Sequence, residues 1–290
     1  MAQAVHTLAN LIWRRPRYVF VQNPPFPAVW TVWLYAVLWR AVYVVDNHSA
    51  AFGDARWKSR LHLFKPFARR ACANLAHNEA NYRELESWDA GGPFLLQSPA
   101  VRREEILNPQ VDLSFLEEAL TSGGTANVLM VNRFAEDDAF REVFAAAEEI
   151  PDLCFFVTGQ RERASLEPGS APENVILTGL LDYPRFVKLM DRCDVVLTLT
   201  LRPDTLLWSI REAIALKKPF VATDNAVIRN VFGRYGLLTD HSPADMREKI
   251  REALNQRASL AAAMEDFIEE DKRRFHQELL QLRTHLFGNG

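Results

Sequence analysis

The segment Asp204-Thr205-Leu206-Leu207-Trp208-Ser209-Ile210-Arg211-Glu212-Ala213 lies between two apolar runs of strand length, residues 194–199 and 219–223. Its pattern predicts a helix with Asp204 at its mouth and Glu212 two turns inside. In an open α/β sheet, the helix that follows a strand presents its amino terminus to phosphate groups. Eight helical residues span about 12 Å, roughly the reach from a sugar through a diphosphate to a ribose. The segment therefore predicts a nucleotide-sugar site, with Asp204 facing the sugar and Glu212 the ribose hydroxyls.

Apolar runs of strand length recur along the whole chain and alternate with helical patterns. The predicted strands are residues 18–21, 42–45, 72–75, 94–96, 128–131, 154–158, 175–177, 195–199 and 220–222. The predicted helices are residues 27–40, 139–149, 184–191, 206–216 and 243–256, with one or two long helices over 259–286. Such alternation predicts an α/β fold of parallel sheets covered by helices. The strands are continuously apolar, which is typical of sheets buried on both faces.

A domain boundary is predicted between residues 108 and 127, because Asn108-Pro109 is a turn signal and residues 121–125 are small and polar. We expect an N-terminal α/β domain with its linker over residues 1–122 and a second α/β domain over 123–257. The remaining residues, 258–290, are expected to form helices that pack back across both domains. A ligand is expected in the cleft between two such domains.

Composition narrows the classes of partner. The formal net charge of −3 and the isoelectric point near 6.2 give no electrostatic case for nucleic acid. Basic clusters at residues 14–17 and 69–70, with a Trp- and Tyr-rich stretch over 30–39, leave open a peripheral contact with a membrane surface. Solvated helix ends explain the same clusters more simply. The apolar stretch over 26–45 contains Pro27 and Arg40, so its unbroken part is shorter than the roughly 20 residues that a membrane span needs.

The number of cysteines and the absence of several sequence motifs argue against further classes of protein. Three scattered cysteines are too few for a disulfide framework or a zinc site, which favours a reducing, cytoplasmic setting. The chain has no phosphate-binding Gly-x-x-x-x-Gly-Lys loop, no dinucleotide-binding glycine turn and no serine-hydrolase elbow. Metal-ligand spacing is not evident, and the acidic run over 136–138 is interpreted as the first turn of the helix 139–149. We therefore expect neither a metal nor a cofactor.

Polar and glycine residues follow the predicted strands of the second domain, at the edge where α/β folds bind ligands. Arg133 follows the strand 128–131 and can balance a diphosphate with bidentate donors. A surface arginine paired with Glu136 or Asp137 explains Arg133 equally well. Gly159 and Gly179 end the next two strands, and a turn glycine is the simpler interpretation of each.

The first domain has its own polar strand ends. Residues 22–25, Gln-Asn-Pro-Pro, close one strand, and residues 46–49, Asp-Asn-His-Ser, close the next. His48 in that position can donate to a phosphate or hydroxyl, or accept a proton, and Asp46 can orient its ring. A hydrogen-bonded structural histidine is the alternative. His77, which follows the third strand, adds a further polar group to this edge.

Taken in order, these motifs resemble retaining glycosyltransferases of the GT-B fold, family 4. The matching segments are residues 22–25, 46–48, 132–134 with the following acids, 157–159, 177–180, 204–213 and 218–220. The first two are also similar to the dolichol-linked chitobiosyl mannosyltransferases and their bacterial relatives. The resemblance runs from about residue 17 to the end of the chain and is looser in the first domain. It implies two Rossmann-like parallel-sheet domains facing a cleft, with the N-terminal domain incomplete.

The resemblance also implies roles for individual residues. The donor ribose is assigned to Glu212, the transferred sugar to Asp204, and the diphosphate to Arg133 and the amides of Thr205, Leu206 and Leu207. The nucleobase is assigned to the loop Gly179-Leu180, with Gly159 beside the donor, and the donor sugar is approached by His48. Two departures stand out, because Asp204 replaces a glutamate and the lysine that usually partners the arginine is not evident.

The predicted function is therefore transfer of a sugar from a nucleoside-diphosphate sugar to a glycan or lipid-linked acceptor, with retention of configuration and without a metal. The shortened N-terminal domain supports an alternative, a non-catalytic donor-binding subunit that depends on a protein partner to complete that domain. A GT-B nucleotide-sugar epimerase is the weakest alternative, because its additional carboxylate and histidine set is not identified.

Overall fold

The computed structural model describes residues 2–167 and 169–288, which divide into two compact units. The first unit comprises Met1–Pro99 and Arg273–Gly290, and the second comprises Ala100–Lys272. Each unit contains one parallel β-sheet with flanking helices, so the α/β class with two parallel-sheet domains is confirmed. Residues 100–122 fall in the second unit, whereas the sequence pattern assigned them to the N-terminal domain. The final helix is divided between the two units at residues 272 and 273.

The first unit alternates strands and helices, and its four strands lie in the order β1-β2-β3-β4. Its elements are α1 (Ala2–Arg14), β1 (Tyr18–Asn23), α2 (Phe26–Trp39), β2 (Val42–Asn47), α3 (Ala50–Gly53), α4 (Ala55–Lys58), α5 (Leu61–Ala68), β3 (Ala73–Ala76), α6 (Glu79–Ser87) and β4 (Pro93–Leu95).

Helix α2 shows how the sequence fixes one of these elements. Pro27 lies in its first turn, where a missing backbone N–H breaks no helical hydrogen bond. Phe26, Val29 and Val32 are buried on one face, in the core that also contains strand residues of the sheet. The helix ends where Arg40 adopts a left-handed conformation with φ 54°. The predicted helix over 27–40 is therefore confirmed, with bounds shifted by one residue.

The second unit has a six-stranded parallel sheet in the order β10-β9-β8-β5-β6-β7. Its helices and strands are α7 (Arg103–Ile106), α8 (Glu117–Ser122), β5 (Ala126–Val131), α9 (Phe140–Glu148), β6 (Leu153–Thr158), β7 (Val175–Gly179), α10 (Tyr183–Arg192), β8 (Val195–Thr198), α11 (Trp208–Ala215), β9 (Phe220–Thr223), α12 (Ala226–Phe232), β10 (Leu237–Thr239) and α13 (Pro243–Asn255). Two short 3₁₀ helices, Ser114–Leu116 and Arg161–Ala164, complete it. The predictions did not include β10, because its apolar run is only Leu237-Leu238.

Both faces of the second sheet are covered. All six residues of β6 are buried, and two hydrophobic clusters contain its side chains on opposite faces, with Phe156 in one and Phe155 in the other. This explains the continuous apolar composition of the strands. The last helix, α14 (Arg257–Phe287), is a single helix of 31 residues, and its residues as far as Lys272 belong to the second unit. Within the described residues, no helix combines the length and the apolar character needed to cross a bilayer.

Candidate functional site

The order of strands in the second sheet creates a switch point beside β5. The chain leaves β5 for β6 and β7 on one side, and then returns to place β8 on the other side. In open α/β sheets, ligands bind in the crevice that such a reversal opens at the carboxyl ends of the strands. Residues 132–139 follow β5 and residues 199–207 follow β8, so these two loops flank the crevice.

The loop after β5 is folded by its own acids. The Asp138 carboxylate accepts hydrogen bonds from the backbone amides of Arg133 (2.8 Å) and Ala135 (3.0 Å). Nη2 of Arg133 lies 3.3 Å from Oδ2 of Asp137. Helix α9 begins only at Phe140, so the interpretation of residues 136–138 as its first turn is wrong. These acids order the loop that presents Arg133, whose side chain remains 61% exposed.

A second arginine, Arg202, joins this loop from the neighbouring strand end. Its Nε lies 3.1 Å from Oδ2 of Asp137, the same oxygen that pairs with Arg133. The backbone amide of Leu201 donates to the carbonyl of Asp137 at 2.8 Å. The loops after β5 and β8 therefore meet at Asp137 and hold two half-exposed guanidinium groups beside one carboxylate. Sequence reasoning missed Arg202, although its place four residues after β8 was a usable signal.

Gly159 lies at a point where two backbones approach closely. A Cβ at this position would lie 2.7 Å from the carbonyl oxygen of Asn132 and 2.9 Å from Cα of Arg133, and φ is 103°. Its amide donates to the carbonyl of Gly179 at 3.0 Å. Gly179 has φ 72° but open space around it, and Leu180 beside it is 74% exposed. Gly159 is thus required by packing against the Arg133 loop, which goes beyond the role of a simple turn glycine.

Asn132, at the end of β5, was not among the predicted site residues. Its side chain is 4% exposed, yet neither its amide nitrogen nor its carbonyl oxygen has a hydrogen-bond partner. Its backbone is well anchored, because the Thr158 hydroxyl accepts from the Asn132 amide and donates to its carbonyl. Buried polar side chains in folded proteins are normally paired. An unpaired asparagine beside the crevice is therefore a candidate ligand contact.

Glu212 is buried within α11, at 3% exposure. Burial raises the pKa of its carboxyl above the usual range, and hydrogen bonds from Tyr183 and Trp208 offset part of that rise. Both aromatic side chains are nearly half exposed. Burial, followed by the charge of Glu212, also raises the pKa of Tyr183 to about 12. The buried carboxyl of Glu212 is therefore paired with two aromatic side chains that lie partly at the surface. Tyr183 was not among the predicted site residues.

The helix that carries Glu212 begins later than predicted. Helix α11 starts at Trp208, its N-cap residue is Leu207, and no side chain caps it. The helix predicted over 206–216 is therefore present, but it begins two residues later and the predicted acid cap is wrong. Asp204 is exposed in the preceding loop with φ 50°. Thr205 and Leu206 belong to the same loop, so the residues from 204 to 207 are not helical and the estimate of about 12 Å does not apply. The amides at the helix amino terminus begin with Trp208.

His48 in the first unit forms a cluster with Asp46 and His77. Nε2 of His48 lies 3.3 Å from Oδ2 of Asp46, and Nε2 of His77 lies 2.6 Å from Oδ1. Nδ1 of His77 donates to the carbonyl of Leu96 at 2.9 Å, since that oxygen can only accept. The two imidazole rings lie 5.0 Å apart. The sequence identified Asp46 as the group that orients His48, and the structure adds His77 on the other carboxylate oxygen.

In the cluster of Asp46, His48 and His77, the carboxylate and the imidazoles each favour the charged form of the other. Burial by itself lowers the pKa of His77, but the hydrogen bond to Asp46, the charge of that carboxylate and the bond to Leu96 outweigh it, so this pKa is raised. Burial acts to raise the pKa of Asp46, and its contacts with the two histidines more than offset that, so this pKa is lowered. An ionised Asp46 between two imidazoles is the result.

Asp46, His48 and His77 also form a candidate metal-ligand group that was not evident from their spacing in the sequence. One ligand atom from each of Asp46, His48 and His77 lies within 4.8 Å of the other two, a grouping that a metal ion can use. The hydrogen bond from Nδ1 of His77 to Leu96 would also orient that ring toward an ion. Spacing along the sequence missed this set because His77 is 29 residues beyond His48.

The comparisons with known proteins agree with this architecture. Residues 125–256 match the sequence profile of the family described as Glycosyl transferases group 1. Among solved structures, sucrose-phosphate synthase from Thermosynechococcus elongatus is similar, with a TM-score of 0.78, 15% identity and coverage of 98% of this chain and 77% of that one. Anabaena HepE in complex with UDP and glucose has a TM-score of 0.74, 17% identity and coverage of 96% and 80%.

A third structure, α,α-trehalose 6-phosphate synthase from Burkholderia multivorans, has a TM-score of 0.68, 12% identity and coverage of 97% and 72%. No curated protein sequence matches the chain. At these identities the solved structures establish the fold, and the predicted GT-B-like architecture is confirmed. The chain therefore has a GT-B-like fold, and its second unit contains the residues that match the glycosyl transferases group 1 profile.

Proposed function

We propose that this protein is a glycosyltransferase that takes a sugar from a nucleoside-diphosphate donor and passes it to a glycan or lipid-linked acceptor. The observation that carries the proposal is the grouping of Arg133 and Arg202 at the switch point of a unit that matches the glycosyl transferases group 1 profile. Two guanidinium groups offer bidentate donors to phosphate oxygens. Structures of HepE hold UDP and UDP-glucose, which makes a uridine donor a sensible first probe.

The proposed donor contacts follow the order of the chain. Arg133 and Arg202 balance the diphosphate, and the first amides of α11 add the positive end of the helix dipole. Glu212 accepts hydrogen bonds from the ribose hydroxyls, replacing those from Tyr183 and Trp208. The loop Gly179-Leu180 packs against the nucleobase. These groups stabilise charge on the departing diphosphate, which is the main requirement for breaking the glycosidic bond.

Catalytic roles rest on the family resemblance. His48, held by Asp46, is assigned to the donor sugar, and Asp204 is assigned to the transferred sugar on the second unit. Retention of configuration and independence from metal are part of the same proposal. The three free cysteines, two of them buried, support a cytoplasmic setting.

The test is release of nucleoside diphosphate by the full chain. Purified protein is incubated with UDP-glucose, GDP-mannose and other sugar donors, with and without lipid-linked acceptors, in the presence of EDTA. We expect release of the nucleoside diphosphate from one donor, unaffected by EDTA and abolished or strongly reduced by Glu212→Ala. Calorimetry that finds no nucleoside-diphosphate affinity in the wild-type chain would overturn the donor site itself.

The four-stranded sheet of the first unit favours a second candidate. Strand β1 is an edge strand of that sheet, and Phe20 on it is 55% exposed. An open edge of this kind is a surface that another chain can cover. The second candidate is a donor-binding subunit that transfers sugar only with a protein partner. Donor affinity without nucleoside-diphosphate release from any donor and acceptor pair would favour it over independent catalysis.

A further inference from the structure

Charge is distributed very unevenly along this chain. Residues 1–78 contain ten arginines and lysines but only two acids, Asp46 and Asp54, a formal charge of +8. The rest of the chain therefore carries −11, because the whole chain carries −3. The first acid of the sequence is Asp46, so residues 1–45 hold four arginines and no carboxylate side chain. A strong asymmetry of this kind indicates that the basic region meets an anionic partner.

The fold gathers these four arginines at one edge of the first sheet. Helix α1 ends at Arg14 and α2 ends at Trp39, and β1 and β2 begin shortly after these helices. The Tyr35 hydroxyl donates to the carbonyl of Pro16 at 2.9 Å, and the amide of Val42 donates to the carbonyl of Arg17 at 2.8 Å. The carboxyl ends of both helices therefore meet at the amino edge of the sheet.

The same helix ends expose large apolar side chains. On α1, Trp13 is 78% exposed, and on α2, Leu38 is 61% and Val37 57% exposed. Helix α2 contains no charged residue, so its solvent-facing side is as apolar as its buried side. A helix at the surface of a soluble protein normally presents polar residues there. The amino-edge patch is defined as Ile12, Trp13, Val37, Leu38 and Trp39 together with Arg14, Arg15, Arg17 and Arg40, all of them exposed.

The arginines of the amino-edge patch are available to a partner. Within residues 2–167 and 169–288, none of the four forms a salt bridge, whereas Arg133 and Arg202 each pair with an acid. Arg14 lies over the ring of Trp13 and Arg17 over that of Tyr18, with distances of 5.6 Å and 5.7 Å to the ring centroids. Such stacking leaves the outer guanidinium nitrogens free to donate to phosphate oxygens.

We propose that the amino-edge patch docks the protein on the surface of an anionic lipid bilayer. Tryptophan rings favour the boundary between headgroups and acyl chains, where one end of the ring is apolar and the other hydrated. Arginines beside them reach the phosphates while their stems stay on the apolar side. A nucleic acid would match the charge but not the exposed Leu38 and Val37. Docking through this edge leaves the carboxyl edge of the same sheet, with Asp46, His48 and His77, facing away from the lipid.

Flotation with vesicles tests the proposal. Full-length protein is mixed with vesicles of phosphatidylcholine alone, or of phosphatidylcholine with about a third phosphatidylglycerol, at low and high salt. We expect binding to the anionic vesicles only, weakened by salt because the attraction is screened. Each arginine near an anionic surface strengthens binding about fivefold. The triple variant Arg14→Gln, Arg15→Gln, Arg40→Gln is therefore expected to bind on the order of 100-fold more weakly.

Two further variants separate apolar insertion from charge in general. The pair Trp13→Ser, Leu38→Ser removes exposed apolar surface without changing charge, and we expect at least about tenfold weaker binding. The matched control Arg161→Gln, Arg163→Gln, Arg257→Gln lowers the charge equally at exposed positions of the second unit and is expected to leave binding unchanged. All of these side chains are exposed, so the thermal midpoints should stay within a few degrees of the wild type.

Several results would overturn the proposal. The proposal fails if the protein does not bind the anionic vesicles or binds neutral vesicles equally well. It also fails if the triple control variant loses as much binding as the triple variant of the patch, or if the variant with Trp13→Ser and Leu38→Ser binds as well as the wild type. Complete competition by an RNA oligonucleotide at the same charge concentration would assign the patch to polyanions in general and would also overturn it. Nucleoside-diphosphate affinity, measured on the same variants, should not change, so failure of the donor assignment and failure of this proposal remain distinguishable.

Discussion

The carboxyl edges of the two sheets hold their polar residues in opposite states. In the first unit, Asp46 is bound on both oxygens by His48 and His77, and this pairing lowers the pKa of the carboxyl. In the second unit, Glu212 has a pKa raised by burial, and Asn132 is buried without a partner. At the first edge the charged groups pair with one another, whereas at the second Asn132 has no partner and Glu212 is paired only with the half-exposed Tyr183 and Trp208. The second edge is therefore the better candidate for binding, and the first for positioning a reactive group.

The largest expected effect concerns the backbone contact beneath the second edge. In Gly159→Ala, the new Cβ would meet backbone atoms of Asn132 and Arg133 at under 3 Å, with φ 103°. We expect a loss of about 3 kcal/mol in the free energy of unfolding, measured by urea denaturation. Gly179→Ala is the matched control, because its φ is 72° but the space is open, and about 1 kcal/mol is expected. Equal losses of unfolding free energy in the two variants would contradict the close approach of the Gly159 backbone to Asn132 and Arg133.

The next effect concerns the ribose assignment. Glu212→Ala removes a carboxylate acceptor, and we expect nucleoside-diphosphate affinity to fall roughly 30-fold, or about 2 kcal/mol, in calorimetry. The free energy of unfolding should not decrease, because the lost group is a buried acid whose pKa is raised. Glu173→Ala, which removes an exposed acid from the same unit, serves as the control and should bind normally. Unchanged affinity in Glu212→Ala would contradict the ribose assignment, and with it the claim that the carboxyl edge of the second sheet is the better candidate for binding.

A smaller effect is expected for the two arginines at the switch point. Arg133→Gln and Arg202→Gln should each weaken nucleoside-diphosphate binding about tenfold, because each loses one charge-assisted contact to a phosphate oxygen. The nucleoside without phosphates should bind both variants as it binds the wild type. Arg163→Gln, an exposed arginine elsewhere in the unit, is the control. If Arg202→Gln alone leaves the affinity unchanged, Arg202 does not contact the diphosphate and only Arg133, the residue predicted from sequence, remains assigned to it.

The smallest effect concerns the first edge and its pH dependence. The pKa of His77 is raised in the folded protein, so the pair with Asp46 contributes stability that is fully present below the unfolded pKa of about 6.5 and is lost as the pH rises through the folded pKa. We expect Asp46→Asn to lower the pKa of His77, followed by NMR titration of the imidazole. The variant should also lose about 1 kcal/mol or less of stability near pH 6 and almost none near pH 9. An equal loss of stability at both pH values would mean that the ion pair between Asp46 and His77 is not the cause of the loss.

Much of the fold was predictable, and particular residues show why. The helix over 27–40 and the strands around 128–131 and 154–158 were found because each has a strong local pattern and clear turn residues at its ends. The start of α11 was misplaced because Leu206 and Leu207 have the helical spacing of apolar residues, whereas they pack from a loop onto the core. The short strand β10 was missed because its identity depends on pairing with β9. Local patterns cannot encode such pairings.

The candidate site was predictable only in part. Arg133 was identified because it follows a strand, and Gly159 because it ends one. Arg202 and Tyr183 were missed because their relevance arises from contacts with Asp137 and Glu212, which lie 65 and 29 residues away in the sequence. The role of His77 beside Asp46 was missed for the same reason. The acids over 136–138 were interpreted as the first turn of a helix, whereas the contacts of Asp137 and Asp138 show that these two residues order the Arg133 loop.

The sequence by itself determined the α/β class, the two parallel sheets and the strand ends where polar residues accumulate, because hydrophobic periodicity and turn residues are local properties. It also determined the concentration of positive charge in the first 78 residues. Only the tertiary structure decided which strand ends are neighbours, since strand order depends on pairings between distant segments. That order placed Arg202 beside Arg133, His77 beside Asp46, and the ends of α1 and α2 together at one edge of the first sheet. Burial, which sets the pKa of Glu212, likewise exists only once the chain has packed.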